Sequence, residues 1–218
     1  MQDRYAGDLG DFLKFGLLRQ LCAGDGNAAA LQLGVVWYLV PDESHNDDGK
    51  RVAYLRADGR HAVYLRSLDG QLYDQLAGVV RSGVRSTSAL EAAGVLPAGT
   101  KTFGRPLDFS QLSARSSAVR LSYRKSWIAD ALAATAGCDV VFADPDNGIR
   151  RSSHSTARTR TKAVKHAYLD ELAEFAARGQ SLVVYHHADH SAPVIEQATR
   201  RLADLADEVP GVHRPLVA

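Results

Sequence analysis

The chain has 218 residues, 45% of them hydrophobic and 23% charged, which suits a single α/β domain spanning 1–218 with a sizeable core. Lys and Arg number 26 against 25 Asp and Glu, a net charge of +1 that argues against bulk electrostatic binding of nucleic acid while allowing local patches. Cys22 and Cys138 lack metal-ligand spacing, no apolar run reaches membrane-spanning length, and the start has no signal-peptide core, so a cytoplasmic protein without membrane association is expected.

Asp8 is placed to cap a helix running to about Leu21, and Leu9, Leu13, Leu17 and Leu21 recur every four residues, predicting one apolar face. Asp11 and Lys14, three apart, suit a surface ion pair or a lining over a substrate pocket, and spacing alone favours the first. Val35 to Val40 reads as the first buried strand. Pro41 ends it, and Asp42 to Lys50 follows, with four acids and His45 in nine residues. That loop reads as solvated or as the edge of a cofactor or metal site. Ala62 to Leu65 suggests a strand, Leu68 to Val80 a helix, Arg81 to Thr100 an irregular connection with room for one helical turn, and Lys101 to Phe103 a short strand. Ser122 to Ala136 reads as a helix.

The run Gly137 to Ala143 is apolar without helical spacing, as in a strand of a parallel sheet. Asp144-Pro145-Asp146-Asn147-Gly148 must end it, because Pro145 lacks an N–H and Asn147-Gly148 favours positive φ. Two carboxylates and an amide therefore emerge at the carboxyl end of a strand, where open α/β sheets bind ligands. From Ile149 to Lys162 come five Arg or Lys and a group of hydroxyls around His154. This segment is expected to be a mobile loop, either a solvated connection or a cover for a phosphate-bearing substrate. A helix is predicted over 163–178 and a strand over 181–185, ending in His186-His187-Ala188-Asp189-His190. A helix follows from Pro193 to about Ala206, then a final strand over 212–217. The alternation implies a mainly parallel sheet with helices on both faces. Three strand ends carry polar clusters centred on Asp42, Asp144 and His186, and their convergence on one cleft is the main functional expectation.

Tyr5 followed by Gly7-Asp8-x-x-Asp11-x-x-Lys14 resembles the N-terminal motif of the large-subunit ribosomal RNA adenine-N6 methyltransferases. Asp144-Pro145-Asp146-Asn147 stands where those enzymes have Asp-Pro-Pro-Tyr. The pattern marks a distinct bacterial family related to them, with Asp-Pro-Asp-Asn-Gly as its signature. The resemblance implies a Rossmann-like methyltransferase fold, shortened at the C-terminus, with S-adenosylmethionine as cofactor. It implies catalytic or substrate-holding roles for Asp144, Asp146, Asn147, Lys14 and Asp11. Cofactor binding falls to Asp42, Glu43, Asn46, Asp8 and Gly7. Asp146 and Asn147 replace the second proline and the stacking aromatic, which argues against a flipped adenine held by stacking. The acceptor is then an amine or hydroxyl of a small molecule or a nucleic acid.

Two other readings stand beside methyl transfer. Asp144, Asp146, His186 and His187 offer ligands for a divalent metal in a phosphoesterase-like hydrolase. A non-catalytic binding module on the same fold would also show an altered motif.

Overall fold

In the computed structural model the described residues are 1–24, 30–43, 49–56, 58–59, 61–112, 116–152, 158–188, 191–212 and 215–217. The chain groups into two compact units, one comprising Met1, 33–40 and 101–218, the other 2–32 and 41–100.

The first unit is built on a four-stranded, all-parallel sheet in the order β2-β1-β3-β6. Its strands are β1 (Leu33–Val36), β2 (Lys101–Phe103), β3 (Val140–Ala143) and β6 (Ser181–Val184). Every residue of β1 and β3 is buried, as the unbroken apolar runs require of central parallel strands. Gly34 is forced by packing: a Cβ there would stand 2.9 Å from the Thr135 methyl and 3.1 Å from the Cys138 sulfur. Helices α5 (Ser117–Ala134), α6 (Leu169–Ala176) and α7 (Val194–Glu208) pack around the sheet. Trp127, Val141, Leu172 and Phe175 belong to the core they share. A second, two-stranded parallel ladder joins β4 (Ile149–Arg150) to β5 (Ala167–Tyr168). The unit is therefore α/β with a parallel sheet, the coarse architecture expected from the alternation of elements.

Helix α7 is fastened differently from its neighbours. Its buried residues are Gln197 and Asp204, both polar. Arg151, just after β4, reaches Asp204 at 2.9 Å and Glu208 at 2.5 Å, and the Ser152 amide donates to Glu208 at 2.8 Å.

The second unit is helical, with α1 (Leu9–Cys22), α2 (Ala62–Leu68), α3 (Gly70–Ser82) and α4 (Thr87–Ala92). Asp8 caps α1 by accepting from the Asp11 amide, as expected; Asp69 and Ser86 cap α3 and α4 in the same way. Phe12, Tyr54 and Tyr73 form an edge-to-face aromatic cluster with centroids 6.0 to 6.5 Å apart.

Several expectations are corrected. The inner face of α1 is Phe12, Phe15, Leu18 and Cys22, while Leu13 is 59% exposed and Leu17 and Leu21 also face outward. A strict spacing of four drifts around a 3.6-residue helix, and the aromatic face buries more area. Ala62 to Leu65 is helical, not a strand. The helical turn allowed within Arg81 to Thr100 is α4, six residues long. Helix α5 starts at Ser117, five residues before the predicted start at Ser122. Helix α6 starts at Leu169, because 161–165 form a 3-10 turn and 167–168 join β5. Among the described residues of 212–217 there is no strand. No helix among the described residues is long and apolar enough to cross a membrane.

Candidate active site

In the first unit, the chain leaves β1 toward β2 on one side and returns to β3 on the other. The sheet order therefore reverses between β1 and β3, the place where ligands enter open α/β sheets. Asp144 stands there. Its amide donates to Val36 at 3.0 Å, extending the ladder one residue past β3, and the residue is 2% exposed. Beside it, Tyr38 holds a left-handed backbone (φ 44), the single non-glycine residue with positive φ among those described. Such a conformation is strained and is kept only where surrounding contacts enforce it. The nitrogen of buried Met1 donates to the carbonyls of both Tyr38 (3.1 Å) and Asp144 (2.8 Å), tying the ends of β1 and β3 together.

After Asp144 the chain turns as its sequence dictates. The Gly148 amide donates to Pro145 at 3.3 Å, and Gly148 has φ 81. Lys165 grips the turn from one flank: its carbonyl accepts the Asn147 amide at 2.8 Å and its ammonium lies 3.0 Å from the Asp146 carboxylate. That carboxylate is 2% exposed, whereas Asn147 is exposed. His186, two residues past β6, holds the other flank by accepting the Ile149 amide on Nδ1 at 3.0 Å.

Next to the turn lies a buried polar group. Arg124 on α5 is bidentate to Glu171, at 2.5 and 2.9 Å, and also donates to the carbonyls of Ala163 and His166. The Tyr168 ring is sandwiched between the guanidinium groups of Arg124 (4.8 Å) and Arg158 (4.3 Å). Burial, and then the Arg150 cation, hold the His166 imidazole down to about 4, so it is neutral at ordinary pH. Burial and Glu171 together push the Tyr38 hydroxyl well above its usual range.

Two cations of the segment expected to hold phosphate, Arg151 and Arg158, are tied to carboxylates. Arg151 meets Asp204 and Glu208, and Arg158 meets Asp170 at 2.5 Å. Residues 153–157, including His154, lie outside the described residues, as do Asn46, Asp189 and His190.

The alternative metal set is not assembled. Among the described residues no three His, Cys, Asp or Glu side chains are grouped so as to hold a metal ion. Asp146 lies against a lysine, His186 turns Nδ1 to a backbone amide, and His187 is exposed with its Nδ1 3.5 Å from the Tyr185 hydroxyl.

Gly7, Asp8, Asp11, Lys14, Asp42 and Glu43 belong to the second unit. Asp11 is fully buried; one oxygen accepts the Gly7 amide at 2.8 Å and the other meets Lys14 at 2.9 Å. Tyr54 donates to the carbonyls of Gly7 and Asp8, and Arg85 to that of Ala6 at 2.6 Å. Burial pushes the Tyr54 hydroxyl up and the Arg85 guanidinium down. Asp42 accepts the Arg4 amide at 3.2 Å, and the Glu43 amide donates to Gln2 at 2.9 Å. The motif thus binds its own helix start.

Sequence reasoning found the Asp144 turn, and it named His186 both as a strand-end residue expected at the same cleft and as an alternative metal ligand. It missed Lys165, Tyr38, Arg124 and Met1, whose partners lie 18 to 143 positions away. No family model, no curated protein and no solved structure matches this chain.

Proposed function

We propose that the protein is an S-adenosylmethionine-dependent, methyltransferase-like enzyme acting on an amine or hydroxyl of a small molecule or nucleic acid. The observation that carries this reading is the placement of Asp144, buried, at the carboxyl end of β3 where the sheet order reverses. The resemblance of its motif to the Asp-Pro-Pro-Tyr signature adds the reaction class.

The crevice tests the fit of the cofactor. The end of β1 carries a strained tyrosine in place of a glycine-rich turn, and Met1 sits between the two strand ends. Carboxylate and carbonyl groups are hydrogen-bond acceptors, a set that matches the amino and hydroxyl groups of a nucleoside-like ligand rather than phosphate. When bound, the cofactor supplies an electrophilic methyl group.

The chain's own residues would do the rest. Asp144 accepts a hydrogen bond from the acceptor amine or hydroxyl and fixes its direction, a role that is mostly positioning. Exposed Asn147 offers an amide to the same group. Lys165 lies 3.0 Å from the Asp146 carboxylate, so the second carboxylate of the turn is held by a cation.

Calorimetry with S-adenosylmethionine and S-adenosylhomocysteine tests the reading directly. Binding below millimolar concentration is expected; no heat from either ligand at that concentration removes the proposal.

A further inference from the structure

We propose that His186 is the positioning residue of the Asp144 turn, holding it in its working form through an acceptor nitrogen that acid would abolish. This rests on the reading that the turn receives the substrate.

The backbone amide of Ile149 is always a donor, so the His186 Nδ1 that it meets at 3.0 Å must be an acceptor. The ring proton of neutral His186 therefore sits on Nε2, a tautomer fixed by the chain itself. Contact with Gly148 reinforces this placement. A Cβ at Gly148 would lie 2.3 Å from Nδ1 and 3.0 Å from the His186 Cα, so the ring rests on bare backbone. The chain leading to His186 is tied to the end of β3, since the Tyr185 amide donates to Ala143 at 2.9 Å.

The turn is consequently held from two sides by unlike means. Lys165 secures Asp146 and Asn147, and His186 secures Gly148 and Ile149. Protonation affects the second grip only. An imidazolium carries N–H on both nitrogens, and Nδ1–H would then face the Ile149 N–H. The charged and titratable groups on the elements meeting His186 are Asp144 and Asp146 in the turn, Arg150 on β4, His187 beside it, and Arg201 on α7. The Arg201 guanidinium reaches the Ile149 carbonyl at 3.4 Å. The same geometry removes two other roles. Nδ1 is taken by backbone and cannot serve as a base, and metal ligation through Nε2 would require the proton to move to Nδ1.

Imidazole nitrogen NMR on the free protein tests the tautomer without any ligand, and the expected result is Nε2–H with Nδ1 as acceptor. His186→Asn places an amide oxygen near the Nδ1 position and does not titrate. It should keep the Ile149 amide resonance, bind S-adenosylhomocysteine within about threefold of wild type, and lose the acid fall in affinity. His186→Leu should shift that resonance and weaken binding about tenfold, the worth of one good hydrogen bond. An Nδ1–H tautomer would overturn the proposal. So would a His186→Leu protein with wild-type affinity and an unchanged acid limb. If His186→Leu does not fold, the tautomer and His186→Asn decide. If no form binds S-adenosylhomocysteine, methyl transfer falls, while the imidazole and amide resonances still judge the positioning role.

Discussion

The Gly7–Lys14 segment and the Asp144–Gly148 turn are built from similar parts. Each has a glycine with positive φ, 83 and 81 respectively, and a buried aspartate paired with a lysine at about 3 Å. They differ in where those parts look for partners. Asp11 finds Gly7 four residues back and Lys14 three residues on, so its carboxylate closes a local knot at a helix start. Asp146 finds Lys165, and Ile149 finds His186, across the fold. A motif whose carboxylate binds its own helix start stabilises an element. One held by distant elements at a strand end is a placed turn, and buried Asp144 begins it at the reversal in sheet order.

Alanine at the two glycines should separate the regions most strongly. Both positions incur about 1–2 kcal/mol for a left-handed side chain. At Gly7 the new Cβ meets one Val80 methyl at 2.7 Å, which can rotate; at Gly148 it meets the His186 ring and Cα. Chemical denaturation should find Gly148→Ala less stable than Gly7→Ala by about 1–3 kcal/mol, the price of overpacking against backbone. Equal losses would mean that His186 is not seated on the turn.

Aspartate substitutions sharpen the contrast in the other direction. Asp11→Ala strands the buried Gly7 amide and should cost about 2–3 kcal/mol in an unfolding titration. Asp144→Asn keeps the size of a buried side chain and should cost about 1 kcal/mol, the usual scale for a single substitution, yet reduce turnover about a hundredfold or more once an acceptor is found. An Asp144→Asn destabilised as much as Asp11→Ala, with full activity, would reverse the roles given to the two regions.

The smallest expected effect is in pH. His166 has a folded value lowered to about 4, against about 6.5 unfolded. Between those values the unfolded chain binds the extra proton, so stability falls as pH drops through that window and is restored above it. The melting temperature of wild type should decline from pH 6.5 to pH 4 more steeply than that of His166→Gln. Parallel curves would show that the imidazole is solvated in the native state.

What the sequence revealed followed from local chemistry. The apolar run into Asp144 and the Pro145 and Gly148 breakers defined a strand and its turn. Asp8 announced a helix cap. Misreadings came where a local pattern had two solutions. Leu13, Leu17 and Leu21 made a visible stripe, but Phe12, Phe15 and Leu18 carried the buried area. Val63 and Tyr64 have strand propensity, yet both are exposed on α2. The ladder of β4 and β5 has two residues a side, too short for any periodicity to register. Tyr38 looked like an ordinary strand residue because its strain depends on contacts from Met1 and from the end of β3.

The fastening of α7 has a consequence for handling the protein. Beside the partly buried Leu205, its grip on the sheet unit passes through Arg151, which is 41% exposed, to acids on the last turns of the helix. Such pairs are screened as ionic strength rises, whereas the apolar contacts of α5 and α6 are not. In concentrated salt the C-terminal helix becomes the first part of this unit to detach, and the first that a protease would cut, while the sheet beneath it keeps its shape.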